Sequence, residues 1–280
     1  MARKALLIGI NRYRIPGADL RGCVNDVKNM RDLLTSQYGF RAADITTLVD
    51  FDATTRAMQT AIAQLVRGGR KGDVLLLHYS GHGSNVPDAD GDEADRRDEI
   101  LCPTDLDWKK PLSDDWLRKT FDGLRAGVGL TVIMDCCHSG TNTRALTPPD
   151  APIIPRYLPS PWDLVAAESR RPLRGKVQGT LRRSGTRRRR SDIVTAPITE
   201  LLITGCRDTQ TSADAFINGS YNGALTWSLV HVLREGGGKI TLRQMHERML
   251  KRLANDGYSQ VPQLEGSKDK FDRPFLSPQA

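Results

Sequence analysis

Continuous apolar runs alternate along this chain with amphipathic stretches, and each kind predicts an element. Lys4–Ile10 (KALLIGI), Asp73–Ser80 (DVLLLHYS) and Leu130–Asp135 (LTVIMD) are apolar almost throughout. Short unbroken runs of this kind predict strands buried on both faces. Ile45–Val49 and Glu200–Cys206 (ELLITGC) predict two more strands, Glu99–Pro103 a weak one and Val261–Leu264 an edge strand. Between them, Cys23–Gln37 places apolar residues at Val24, Val27, Met30, Leu33 and Leu34. That is helical spacing, and Gly39 stops it. Asp52 and Thr54 offer N-caps for a helix through Leu65, which Gly68 and Gly69 end. Asp114–Leu124 predicts a helix with an acidic first turn, suited to the positive end of a helix dipole. Ala224–Arg234 and Leu242–Ala254 predict two further helices. Buried strands alternating with amphipathic helices imply an α/β fold, a mostly parallel sheet with helices on both faces.

Residues 141–197 break the pattern. Prolines crowd the first part (Pro148, Pro149, Pro152, Pro155, Pro159, Pro161), arginines the last, and no period is sustained. The stretch reads as a long, partly disordered linker or insertion. It divides one domain into a larger part, 1–140, and a smaller part, 198–280. The 280 residues are 39% apolar and 26% charged, as in a soluble globular protein. No run approaches the ~20 apolar residues of a membrane span. The apolar stretch after Met1-Ala2-Arg3-Lys4 is too short for a signal-peptide core. The expectation is a cytoplasmic protein with no membrane partner.

The five cysteines are odd in number, with no C-x-x-C pair, which favours free thiols over staples or zinc. The net charge of +8 is local. Residues 156–190 hold 11 Lys/Arg against two acids, so that stretch carries +9 and the rest of the chain −1. Arg182–Arg190 also lacks interleaved aromatics, so nucleic acid is not an expected partner.

Two runs carry chemistry. Tyr79-Ser80-Gly81-His82-Gly83 and Asp135-Cys136-Cys137-His138-Ser139-Gly140 each follow an apolar strand. Sites form at the carboxyl ends of strands in open parallel sheets. Adjacent strands would bring His82 beside Cys137, the pairing a thiol nucleophile needs. Main-chain N–H groups after His82 and at Cys137 would receive an oxyanion. His138 is an alternative base, although neighbouring side chains on extended backbone diverge. His78 and His82 do not form a helical zinc motif, because Ser80-Gly81 lie between them at a strand end.

Together with Arg21–Asp26 (RGCVND) and Thr204–Ala215 (TGCRDTQTSADA), these runs resemble the metacaspases and their bacterial relatives, the orthocaspases. The resemblance spans Lys4 to about Leu264, apart from 141–197. It implies a caspase-like sandwich and a cysteine endopeptidase in which Cys137 is the nucleophile and His82 the base. Gly83 and Cys137 would supply the oxyanion N–H groups, and Asp26, Asp135, Cys23 and Ser80 an acidic S1 pocket. Such a pocket suits protein or peptide substrates with Arg or Lys at P1 and repels Asp. The family's calcium site matches Asp98, Asp114 and Asp115, but Arg144 replaces a fourth Asp and would repel the ion. No organic cofactor is implied, and calcium dependence is disfavoured. An Arg-preferring protease would also cut its own basic linker, with Arg183 and Arg190 as candidate sites, unless a separate activating protease does so. The rival reading is a non-catalytic interaction protein of caspase fold, which would have no need to retain Cys137 and His82.

Overall fold

The computed structural model describes residues 1–88, 97–138, 152–169, 201–206 and 210–278. In chain order its elements are β1 (Arg3–Gly9), α1 (Cys23–Gln37), β2 (Ile45–Val49), α2 (Thr55–Arg67), β3 (Val74–Ser80), β4 (Gly83–Pro87), β5 (Arg97–Leu101), β6 (Leu112–Ser113), α3 (Asp114–Phe121) and β7 (Gly129–Asp135). There follow β8 (Ile153–Pro155), α4 (Pro161–Ser169), β9 (Leu201–Thr204), β10 (Ala213–Ile217), β11 (Ser220–Gly223), α5 (Ala224–Gly236), α6 (Leu242–Asn255) and β12 (Gln263–Glu265).

The apolar runs form the centre of the main sheet, ordered β12-β9-β7-β3-β1-β2 among the described residues. Its pairs are parallel except β12 with β9, which is antiparallel at the edge. Alternate residues of each strand enter different cores, as the two-residue repeat of a strand requires. Leu6, Ile8, Leu75, Leu77, Leu130 and Val132 meet α2 and α3 on one face. Ala5, Leu7, Val74, Leu76 and Ile133 meet α1, α5 and α6 on the other. A sheet buried on both sides explains why its strands read as continuous apolar runs.

Helix starts follow local chemistry. Thr54 accepts from Ala57 N–H, Ser113 accepts from Trp116 N–H, and Thr241 with Gln244 makes a reciprocal capping box. Two small antiparallel sheets, β4-β5-β6 and β11-β10-β8, flank the carboxyl ends of the main strands.

The sequence did not predict β4, β6, β8, β10, β11 or α4. These are short and carry Gly, Ser, Asn, Asp or Pro, so they lack an apolar run. The linker reading of 141–197 fails over 152–169. There β8 pairs with β10, Arg156 is fully buried, and α4 follows. Ordering comes from tertiary pairing, which composition cannot report. The remainder of that stretch, including Arg144, Arg183 and Arg190, lies outside the described residues. Among the described residues no helix is long and apolar enough to cross a membrane.

Candidate active site

The register sets out the site. Gly9 pairs with Ser80, and Ser80 with Asp135, at the carboxyl ends of three adjacent parallel strands. His82 lies two residues beyond Ser80, and Cys137 two beyond Asp135. Both are buried.

His82 Nε2 lies 2.9 Å from Ala18 O. A carbonyl only accepts, so Nε2 carries the proton and Nδ1 the lone pair. Nδ1 has no hydrogen-bond partner among the described residues. Burial first, offset in part by Ala18 and Asp214, lowers the ring's pKa to about 4. The imidazole is therefore neutral at neutral pH, with one nitrogen free to take a proton.

Among the described residues no hydrogen bond joins Cys137 Sγ to His82. The sulfur accepts from Ser212 N–H and sits 3.1 Å from Cys206 Sγ. The Cys206 thiol is pushed up by its hydrogen bond to Cys137 and by burial, so it stays protonated. His138 turns the other way, with Nε2 3.4 Å from Cys136 Sγ, and so is not placed to serve Cys137. Cys136 is a buried neighbour with a strongly raised pKa, caused chiefly by burial. His78 is remote in role, bonding Thr226 Oγ1 at 3.1 Å inside the core.

The two expected oxyanion donors converge on one atom. Gly83 N–H and Cys137 N–H donate to Arg156 O at 3.0 and 3.1 Å. Position 83 admits only glycine, since a Cβ there would lie 2.2 Å from Cys137 O.

The expected S1 residues form one buried pocket, and it is filled. Arg156 Nη1 donates to Ser80 Oγ at 2.7 Å and lies 3.2 Å from Asp135 Oδ2. Its Nη2 bonds Asp26 Oδ2 at 2.8 Å and Asp214 Oδ1 at 2.9 Å. Each carboxylate is braced. Asp26 accepts from Ser80 Oγ and Gly223 N–H. Asp135 accepts from Ser212 Oγ and from Thr226 N–H and Oγ1. Asp214 accepts from Arg21 N–H and Gly22 N–H. Gly223 leaves room for the guanidinium, because a Cβ there would come within 2.4 Å of Arg156 Nη1. Cys23 is buried beside this cluster, near enough to feel both Ser80 and Arg156.

Three carboxylates face one guanidinium. Burial, countered by Arg156 and reinforced by Asp135, pushes Asp26 up to about 7. Burial alone would lower Arg156, but Asp135, Asp26 and Asp214 reverse this and hold it firmly cationic. A buried ionic cluster adds little net stability over well-packed apolar residues.

Sequence reasoning missed Arg156, Asp214, Ser212 and Cys206. Three of these lie in or beside Thr204–Ala215, a run used there for resemblance with no roles given to its residues. Asp214, an acid between two alanines, was the available signal. For Arg156 it was Ile153-Ile154-Pro155, an apolar island among prolines. No group of three His, Cys, Asp or Glu able to hold a metal ion occurs among the described residues. Asp98 is on β5, Asp114 begins α3, and Asp115 pairs with Arg118.

Comparison with known proteins gives the family and the fold. The family profile described as metacaspase, peptidase C14 domain, matches residues 3–145. Metacaspase-1B of Neosartorya fischeri is 34% identical over 289 residues, covering 95% of this chain and 69% of that protein. Metacaspase-1A of Aspergillus fumigatus is 35% identical over 292 residues, covering 95% and 68%. Among solved structures, protein GSU0716 from Geobacter sulfurreducens aligns with a TM-score of 0.69 at 26% identity, covering 100% of both chains. Caspase-1 from Spodoptera frugiperda aligns with a TM-score of 0.57 at 13% identity, covering 99% of this chain and 90% of that one, a likeness of fold alone. The chain thus has a caspase-like fold and belongs to the metacaspase family of cysteine-type peptidases.

Proposed function

We propose that this protein is an endopeptidase that cleaves after Arg, and less readily after Lys. The observation that carries the reading is the seat of Arg156. Its guanidinium touches Asp26, Asp135 and Asp214 while its carbonyl oxygen takes both N–H groups of Gly83 and Cys137. One residue thus occupies a cation pocket and an oxyanion site together, as a P1 residue does during acyl transfer. Arg is favoured over Lys because separate nitrogens of its fork reach separate acceptors, which a single ammonium cannot copy.

In the reaction, Cys137 Sγ attacks the P1 carbonyl carbon and its proton passes to His82 Nδ1. Ala18 O steadies the imidazolium through Nε2–H. The oxyanion is held by Gly83 N–H and Cys137 N–H. The leaving amine takes the proton from His82, and water then hydrolyses the thioester.

The test is hydrolysis of fluorogenic peptides ending in Arg, Lys or Asp, with wild type and Cys137→Ala, with calcium and with chelator. Cleavage after Arg and Lys that is lost in Cys137→Ala supports the reading, and the chelator arm reports any need for metal. A folded protein silent on every peptide, even after an added protease has cut the chain between 141 and 197, overturns it in favour of a non-catalytic interaction protein.

A further inference from the structure

Arg156 does not reach the pocket from a stray loop. The chain on both sides of it runs through the cleft as an extended peptide. Upstream, β8 adds to β10 as an antiparallel strand, pairing Ile154 with Asp214 and Pro155 with Ala213. Arg156 N–H continues that ladder to Ser212 O at 3.0 Å. Downstream, Tyr157 bridges Gly83, and Leu158 N–H donates to Gly83 O at 2.9 Å. Ser84 Oγ donates to Leu158 O at 2.6 Å. The Arg156–Tyr157 bond is therefore gripped by one strand on each side. Side chains alternate as in a bound strand: Arg156 and Ile154 are buried, while Ile153 is exposed and Pro155 half-buried. Strand addition to a sheet edge is a general way of reading an extended peptide.

We propose that the Arg156–Tyr157 bond is this enzyme's own first substrate, cut within the same chain, with Ile153–Arg156 lying in the P4–P1 positions. This deepens the Arg-directed reading above and rests on it. Cys137 Sγ leaves its contacts with Ser212 and Cys206 and bonds to the Arg156 carbonyl carbon. The C–N bond to Tyr157 breaks, and the Tyr157 nitrogen takes the thiol proton by way of His82. Water then splits the thioester, giving a carboxylate on Arg156 and restoring the thiol. One peptide bond and one water become one carboxylate and one ammonium. Until the new end of β8 leaves β10, Arg156 still fills the pocket, so release of this strand opens the site to other proteins. The same strand predicts substrates with Arg at P1, an apolar residue at P3 and tolerance at P2.

The self-cleavage reading at Arg183 and Arg190 gives a different product, and the experiment separates them. Full-length wild type, Cys137→Ala, Arg156→Lys and Arg156→Gln are incubated from a fresh preparation. Fragments are identified by intact mass and N-terminal sequencing, while the Arg-ending peptide is assayed in parallel. The expected result is a new N-terminus at Tyr157 in wild type, slower formation of it in Arg156→Lys, and none in Arg156→Gln or Cys137→Ala. The rate constant should not change over a hundredfold range of protein concentration. A new N-terminus only after Arg183 or Arg190, a chain that stays whole, or a rate proportional to concentration overturns the proposal. Hydrolysis of the Arg peptide in those same samples leaves the Arg-directed reading standing. Its absence, even after an added protease has cut the chain between 141 and 197, removes both.

Discussion

Ser80 and Asp135 are register partners at the ends of two neighbouring parallel strands, and two residues beyond them lie His82 and Cys137. The strand ends themselves hold the Arg156 guanidinium, since Ser80 Oγ and Asp135 Oδ2 both contact it. Two residues of chain thus separate the guanidinium contacts from His82 and Cys137. A side chain bound between Ser80 and Asp135 necessarily presents its carbonyl to the residues just beyond them. Neither set can shift without carrying the other, because both hang from the buried ends of the same two strands.

The pairing makes Cys137 and His82 interdependent. Cys137→Ala is expected to lower kcat for Arg peptides by about a thousandfold or more, and His82→Gln by a similar factor. The double variant should be scarcely worse than either single one, because the residues act in one step. Steady-state kinetics on the three variants, with circular dichroism to verify the fold, check this. Additive losses would mean that they act separately.

Gly83 is held by space alone. A methyl group there would collide with Cys137 O at 2.2 Å, forcing apart the two N–H groups that share Arg156 O. Gly83→Ala should therefore lower kcat by about 10²–10³-fold, the usual effect of losing an oxyanion donor, with a smaller change in KM. A fall in KM-dependent binding alone, with kcat kept, would contradict that role.

Much of this was legible in the residues, for a physical reason. A strand buried on both faces must be apolar throughout, so β1, β3 and β7 announced themselves, and with them the ends that carry His82 and Cys137. Thr54 revealed α2 through its capping oxygen. The flanking sheets did not announce themselves. Strands such as Gly83–Pro87 and Ala213–Ile217 lack a sustained apolar run and owe their form to pairing with other segments of the chain. Asp26 and Asp135 were singled out through resemblance, whereas Asp214 joins them around Arg156 only because β10 brings it against the Arg21 and Gly22 N–H groups ahead of α1. Arg156 was hidden by its neighbours: prolines read as linker, yet Pro155 also suits a strand bound at an edge, where its missing N–H costs no ladder bond.

Asp214 should be as important to P1 binding as Asp26. It holds Arg156 Nη2 at 2.9 Å while two backbone N–H groups fix its own orientation. Asp214→Asn removes one charge with little change of shape. A charge-assisted hydrogen bond contributes roughly 1.5–3 kcal/mol, so KM for Arg peptides should rise about ten- to a hundredfold. Lys peptides should be affected too, and kcat much less. An unchanged KM would remove Asp214 from the pocket.

Stability should fall steeply in mild acid, and the direction follows from the buried histidines. His78, His82 and His138 are each lowered by burial to about 4 from an ordinary 6.5. Between these values the unfolded chain binds a proton at each position and the folded chain does not, so acid favours unfolding. Asp26 acts in the opposite sense. Its folded pKa is raised to about 7, so from about pH 4 to 7 the folded chain keeps a proton there that the unfolded chain releases. The net uptake on unfolding is about two protons between pH 4 and 6.5, or a slope near 3 kcal/mol per pH unit. Over that window the loss rivals the ~5–15 kcal/mol of a whole domain, so unfolding is expected before pH 4 is reached. Guanidinium titrations of Cys137→Ala, which cannot cut itself, at pH 7.5, 6.5, 5.5 and 5.0 measure the slope directly. His78→Gln should reduce it by about one proton, and Asp26→Asn should steepen it. A midpoint that stays level from pH 7.5 to 5.0 would mean that no net proton uptake accompanies unfolding there, and the dominance of the buried imidazoles over Asp26 would be overturned.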